Sequence, residues 1–148
     1  MTEVRGCNLP EDLYYLIEKH VWAKPMEDGT LRVGMTAVAA KLAGGKLAGV
    51  TIKAKNIGQE ITQGKSLATV ESSKFVGPVP APVTGVLLRG NDKLAADPNI
   101  VSRDPYGEGW IAEMKPANWE ADKANLVTGA AGIQAYQAKL EADNISCA

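Results

Sequence analysis

Apolar alternation, broken every few residues by glycine or proline, is the strongest constraint on how this chain folds. Fifteen glycines and eight prolines in 148 residues imply many turns. Leu31, Val33 and Met35 alternate with Thr30 and Arg32, the pattern of a half-buried strand. Asp28-Gly29 just ahead of them is a strong hairpin-turn signal. Val50 and Ile52 alternate with Thr51 and Lys53, and residues 67–70 and 83–88 add two more β-rich runs. Several short strands at close spacing point to a small barrel or sandwich.

Helices fit between and after the strands. Thr36 is placed to cap a short helix ending at Leu42, with Gly44 and Gly45 terminating it and Val38, Ala39 and Leu42 on its apolar face. Residues 98–101 suit a single turn after Asp97. Residues 119–127 are a helix candidate. Ile133, Tyr136, Gln137 and Leu140 follow helical spacing in a second, C-terminal one, with Gly129 and Gly132 separating the two. The N-terminal stretch reads both ways. Leu9, Leu13, Leu16 and Ile17 have a helical period, whereas Tyr14, Tyr15, Ile17, Val21 and Trp22 favour a strand, and on these residues alone both options stay open.

Hydrophobic residues make up 45% and charged residues 22%, with a net charge of −1, as in an ordinary globular protein. No basic block or basic helix face suggests nucleic-acid binding. No signal-peptide pattern or membrane-spanning apolar run is present, so no membrane association and a cytoplasmic location are expected. Cys7 and Cys147 have no metal-ligand spacing and no C-x-x-C partner. In a reducing cytosol they read as two free thiols near opposite termini.

Residues 68–85, ATVESSKFVGPVPAPVTG, hold the chemical centre. Val70 and Glu71 end one extended run, and Ser72, Ser73 and Lys74 occupy the expected tight turn. Phe75 and Val76 begin a second run, punctuated by Pro82 and Gly85. The expectation is a lone primary amine, that of Lys74, exposed at a hairpin tip. A faint two-part echo surrounds it: residues 58–74 rise into the hairpin and residues 75–94 leave it.

With its neighbours, this hairpin resembles the lipoylation site of the glycine cleavage H-protein family. His20-Val21-Trp22 looks like the His-x-Trp that opens that domain. Gly34-Met35-Thr36 and the short Ala-rich helix after it match the family's strand-to-helix step. APVTG at residues 81–85 looks like its return strand, and DPNIVSRDPYGEGWIAEMKP at residues 97–116 matches its long signature almost throughout. The resemblance covers about two thirds of the chain, from residue 20 to residue 115. It implies a mostly β, barrel-sandwich hybrid fold with short flanking helices and a C-terminal helical extension. The expected division is an N-terminal extension (1–19), a carrier domain (20–128) and a helical tail (129–148).

The resemblance further implies a non-catalytic carrier with lipoic acid in amide linkage to Lys74. Glu71 matches the acidic residue of the attachment motif, and Gly58 a glycine read by lipoyl-attaching enzymes. Both also fit plainer roles, as a solvated strand-end carboxylate and a turn glycine. Ser73 and Phe75 replace the usual Val and Ala beside the lysine. The segment GPVPAPV is richer in proline than usual, and Lys46, Lys53 and Lys55 stand where H-proteins are usually acidic. These departures resemble the lipoate-binding proteins of bacterial sulfur oxidation, which carry sulfur intermediates or electrons for a heterodisulfide-reductase-like complex. The alternative is the glycine cleavage H protein, which carries the aminomethyl group of glycine. Expected partners are lipoate ligase or lipoyl-assembly enzymes, that complex, and dihydrolipoamide dehydrogenase.

Other classes have less behind them. There is no confident Ser/His/Asp set, no Cys/His metal pattern and no phosphate-cradling glycine loop. A biotin carrier shares the hairpin logic but places Met on both sides of its lysine. His20, the only histidine, reads as a packed or edge residue rather than a base. Residues 104–110 read as an ordered turn in which Tyr106 and Trp110 pack. Phe75 reads either as an apolar patch beside the arm or as a core strand residue.

Overall fold

The computed structural model describes residues 2–73 and 75–147. The first strands are β1 (Thr2–Val4), β2 (Cys7–Leu9), β3 (Tyr14–Leu16), β4 (Val21–Pro25) and β5 (Leu31–Met35). Helix α1 (Ala37–Leu42) leads to β6 (Gly49–Thr51), β7 (Glu60–Ile61), β8 (Ser66–Glu71), β9 (Val76–Pro80) and β10 (Gly85–Gly90). Two short helices follow, α2 (Lys93–Ala96) and α3 (Ile100–Arg103), and then β11 (Ala112–Pro116). The chain continues through α4 (Trp119–Asp122), β12 (Val127–Thr128) and the long α5 (Gly129–Ala142).

Among the described residues the strands form three antiparallel sheets. The largest runs β12-β3-β4-β5-β11-β10-β7, a second runs β6-β8-β9, and β1 pairs with β2. Period-two alternation decides which side chains fill which core. From β3 and β4, Tyr14, Leu16, Val21 and Ala23 face the space shared with the β6-β8-β9 sheet, beside Val33, Leu67, Val70, Val79, Leu87 and Met114. Tyr15 and Trp22 point the other way, into a second core with Leu9, Val38, Ile133, Tyr136 and Leu140. The fold is a mostly β barrel-sandwich hybrid whose sheets do not close, with short helices and a C-terminal helix.

Trp22 ties three of the sequence motifs together. It is wholly buried, and its indole Nε1–H donates to Met35 O at 3.0 Å and to Pro105 O at 3.1 Å. A Cβ on Gly34 would fall 2.6 Å from the indole ring, so only glycine lets β5 pass this close. Tyr106 completes the cluster: its hydroxyl donates to Asn8 O and accepts from Ala37 N–H. The 104–110 segment is thus a structural turn, as its residues suggested.

The helix expected after Thr36 forms, with the Thr36 hydroxyl accepting Ala39 N–H. Its inward face differs from expectation: Val38 and Ala40 are buried, Ala39 is partly buried, and Leu42 is 52% exposed. The 119–127 candidate breaks up into α4, a 3-10 turn (Lys123–Asn125) and strand β12. Gly129 begins α5 rather than ending a separator. Gly132 lies inside the helix, where a Cβ would meet Val127 backbone at 2.9 Å. Strand β3 settles the N-terminal ambiguity in favour of a strand at Tyr14.

The expectation of two free thiols is wrong. Cys7 and Cys147 are joined in a disulfide, with Cα atoms 5.1 Å apart across 140 residues of sequence. The tail beyond α5 runs beside β1 and β2. Arg5 Nε donates to Ile145 O at 2.7 Å, and Cys147 N–H donates to Arg5 O at 2.9 Å. Sequence spacing carries no trace of this adjacency, because it exists only once α5 has packed back on the N-terminal hairpin. No helix among the described residues is long and apolar enough to cross a membrane.

Candidate functional site

The hairpin forms where the alternation placed it. In β8, Leu67, Ala68 and Val70 are buried while Thr69 and Glu71 are exposed, so one face anchors the hairpin in the core. Pairing with β9 runs from Ser66↔Pro80 to Glu71↔Val76, with a register shift between Ser66 and Ala68. Beyond the last pair, Ser72 N–H donates to Phe75 O at 2.7 Å and closes the connection. Lys74, the expected attachment residue, lies outside the described residues. On the other side β6 pairs with β8, and Ala48 N–H donates to Glu71 O at 2.7 Å. The end of β8 is therefore held from both edges.

Phe75 lies between the two roles considered for it. It is 42% exposed, and its ring sits on β9: a Cβ on Gly77 would come 2.3 Å from the ring. The ring walls a hollow of about 140 Å³ between the hairpin and α1, lined also by Lys19, His20, Met35, Leu42 and Val70. No carboxylate is among its lining residues. Local sequence does not signal this hollow, because its walls come from segments that meet only in the fold.

His20 has a left-handed backbone, φ 57°, in the turn between β3 and β4. Its Nδ1 is 2.7 Å from the Tyr136 hydroxyl, which is also 2.9 Å from Thr36 Oγ1. One α5 side chain thus joins the β3–β4 turn to the cap of α1. Burial holds the imidazole below the usual histidine range and Lys139 acts in the same direction, while Asp143 and Glu18 oppose it. Burial likewise pushes the Tyr136 hydroxyl up, so this network is neutral at neutral pH. The packed role expected of His20 is the one observed.

Glu71 is exposed at the end of β8. Gly58 is placed elsewhere: it has φ 86°, a conformation that favours glycine, and donates to Leu87 O at 2.7 Å in the turn before β7. Lys46, Lys53 and Lys55 are exposed in the segments flanking β6. None of them is ion-paired among the described residues.

Comparison with known proteins bears directly on this geometry. The family model described as glycine cleavage H-protein matches residues 13–141. The chain belongs to the glycine cleavage H-protein family. It is 45% identical over 147 residues to glycine cleavage system H protein 2 of Aquifex aeolicus, covering 99% of this chain and 89% of that one. It is 42% identical over 149 residues to a probable glycine cleavage system H protein 2 of Saccharolobus solfataricus, covering 99% and 98%. The crystal structure of a glycine cleavage system H protein from Mycobacterium marinum superimposes with a TM-score of 0.73 at 29% identity. That match covers 90% of this chain and 99% of the other.

Proposed function

We propose that this H-protein family member is a non-catalytic swinging-arm carrier with a lipoyl group in amide linkage to Lys74. The observation that carries the reading is the β8–β9 hairpin, with β8 held between β6 and β9 and the connection closed by the Ser72–Phe75 hydrogen bond around the segment containing Lys74. A stiff support lowers the ordering cost when an attaching enzyme docks. Exposed Glu71 gives that enzyme a fixed charge three residues before the lysine, and Gly58 supplies a second, separate recognition point. The bound group contributes thiol–disulfide chemistry, and the chain contributes display, partner choice and an apolar surface at Phe75. Tethering raises the local concentration of the dithiolane at each docked enzyme.

The cargo best supported by the names of the relatives is the aminomethyl group of glycine. The partners are then a lipoate-attaching enzyme, glycine decarboxylase, a folate-dependent transferase and dihydrolipoamide dehydrogenase. A second reading, sulfur carriage for a heterodisulfide-reductase-like complex, has one observation in its favour. Among the described residues, the hollow beside Phe75 is lined by Lys19 and His20 and by no carboxylate, so they offer an ammonium-bearing cargo no counter-ion in its wall.

Intact mass after expression in cells that make lipoate is expected to show one lipoyl increment, mapped to Lys74 and absent in Lys74→Arg. An unmodified chain, or modification of another lysine, overturns the site. Lipoylated protein added to a glycine cleavage assay lacking H-protein is expected to restore turnover. No restoration by fully lipoylated protein transfers the cargo to the second reading.

A further inference from the structure

The loop between α1 and β6 carries a cluster for which lipoyl carriage has no use. Gly45 and Lys46 face Asn99, Ser102 and Arg103 across an open recess of about 280 Å³. Two cations and two uncharged polar side chains converge there, and no carboxylate is among the lining residues. Lys46 has no ion-pair partner among the described residues. Arg103 gives one N–H each of Nη1 and Nη2 to Asp97, outside the lining, which leaves Nε–H and the second N–H of each Nη as donors. Asn99 Oδ1 accepts Leu47 N–H at 2.5 Å, so its amide NH₂ is the part left to bind.

Ser102 adds an independent sign of a ligand. Among the described residues, its Oγ is the one buried side-chain oxygen or nitrogen with no hydrogen-bond partner. Buried hydroxyls are normally satisfied, and Ser102 is one of the residues that line the recess. The available groups are then all donors, from four side chains. A carboxylate offers two oxygens to such a set, and a phosphate offers more, with geometry suited to Arg, Lys and hydroxyl donors.

We infer that the Lys46–Ser102–Arg103 recess binds a phosphate group. The site lies beside the segment tied to the hairpin through Ala48 N–H and Glu71 O, but the inference does not depend on modification of Lys74. The test is an amide NMR titration of the full chain with inorganic phosphate, against sodium chloride at matched ionic strength. Saturable shifts confined to residues 45–47 and 99–103 are expected. Lys46→Gln is expected to weaken binding about tenfold, the usual size for loss of a charge-assisted hydrogen bond, and Ser102→Ala several-fold. Lys65→Gln, on another exposed segment, leaves it unchanged. Shifts that fail to saturate, spread over lysines elsewhere, or survive undiminished in Lys46→Gln or Ser102→Ala overturn the inference.

Discussion

Two glycines under aromatic rings have opposite tolerances. Gly34 lies against the wholly buried Trp22, whose indole is pinned by two carbonyl oxygens. Gly34→Ala therefore forces the backbone or the core to move, and destabilisation of about 1–3 kcal/mol is expected by urea denaturation. Gly77 lies under Phe75, whose ring is half exposed and free to swing away. Gly77→Ala is expected to change stability by less than about 1 kcal/mol while moving the Phe75 ring off β9, visible as lost ring contacts in NMR. A melting point lowered equally by both substitutions contradicts this distinction. The identity of each aromatic was visible in the sequence, as was the match of Trp22 and Gly34 to motifs. Which ring each glycine meets was not, because cross-strand pairing at Trp22↔Gly34 and the back-folding of Phe75 arise only in the sheet.

Between elements, the His20–Tyr136–Thr36 network is the polar link of the second core. The His20 pKa is lowered on folding, so the unfolded chain binds the proton more readily. The stability contributed by the neutral imidazole is present above the unfolded value of about 6.5 and is lost as pH falls below it toward the folded value. Melting temperature is expected to drop over that acid range, and His20→Asn, which tolerates a positive φ, is expected to flatten the drop. Tyr136→Phe leaves His20 Nδ1 without its partner and Thr36 Oγ1 without one of its own, and is expected to cost about 1–3 kcal/mol. At this scale the sequence was legible where one residue type had one local job. Thr36 capped its helix, Asp28-Gly29 turned its hairpin, and residues 66–80 paired about the expected turn. It was illegible where contact overrode period: Leu42 turned outward, the 119–127 segment broke for β12 to pair with β3, and Gly132 lay inside α5 against Val127.

Over the whole molecule, the Cys7–Cys147 disulfide fixes how the terminal segments behave. It closes a loop of 140 residues, and the chain-entropy model gives such a crosslink about 5 kcal/mol. Reduction is expected to lower the melting temperature and to raise hydrogen exchange first in β1, β2 and residues 143–147. The β8–β9 hairpin, anchored in the other core, keeps its protection. Loss of protection in the hairpin at the same reductant concentration would show the two cores to be one cooperative unit. The fold class, the hairpin and the family were all readable from residues 20–116 taken alone, because those signals are local strings. The terminal staple was not, because both cysteines sit in short segments with no pattern of their own.

With Cys7 and Cys147 welded, the polypeptide between them is topologically a ring. A single proteolytic nick in an exposed bend such as 27–29 would release no fragment under oxidising conditions. A circular permutant opened at that bend, with the old ends bridged by a brief linker, would keep every strand pairing of the parent.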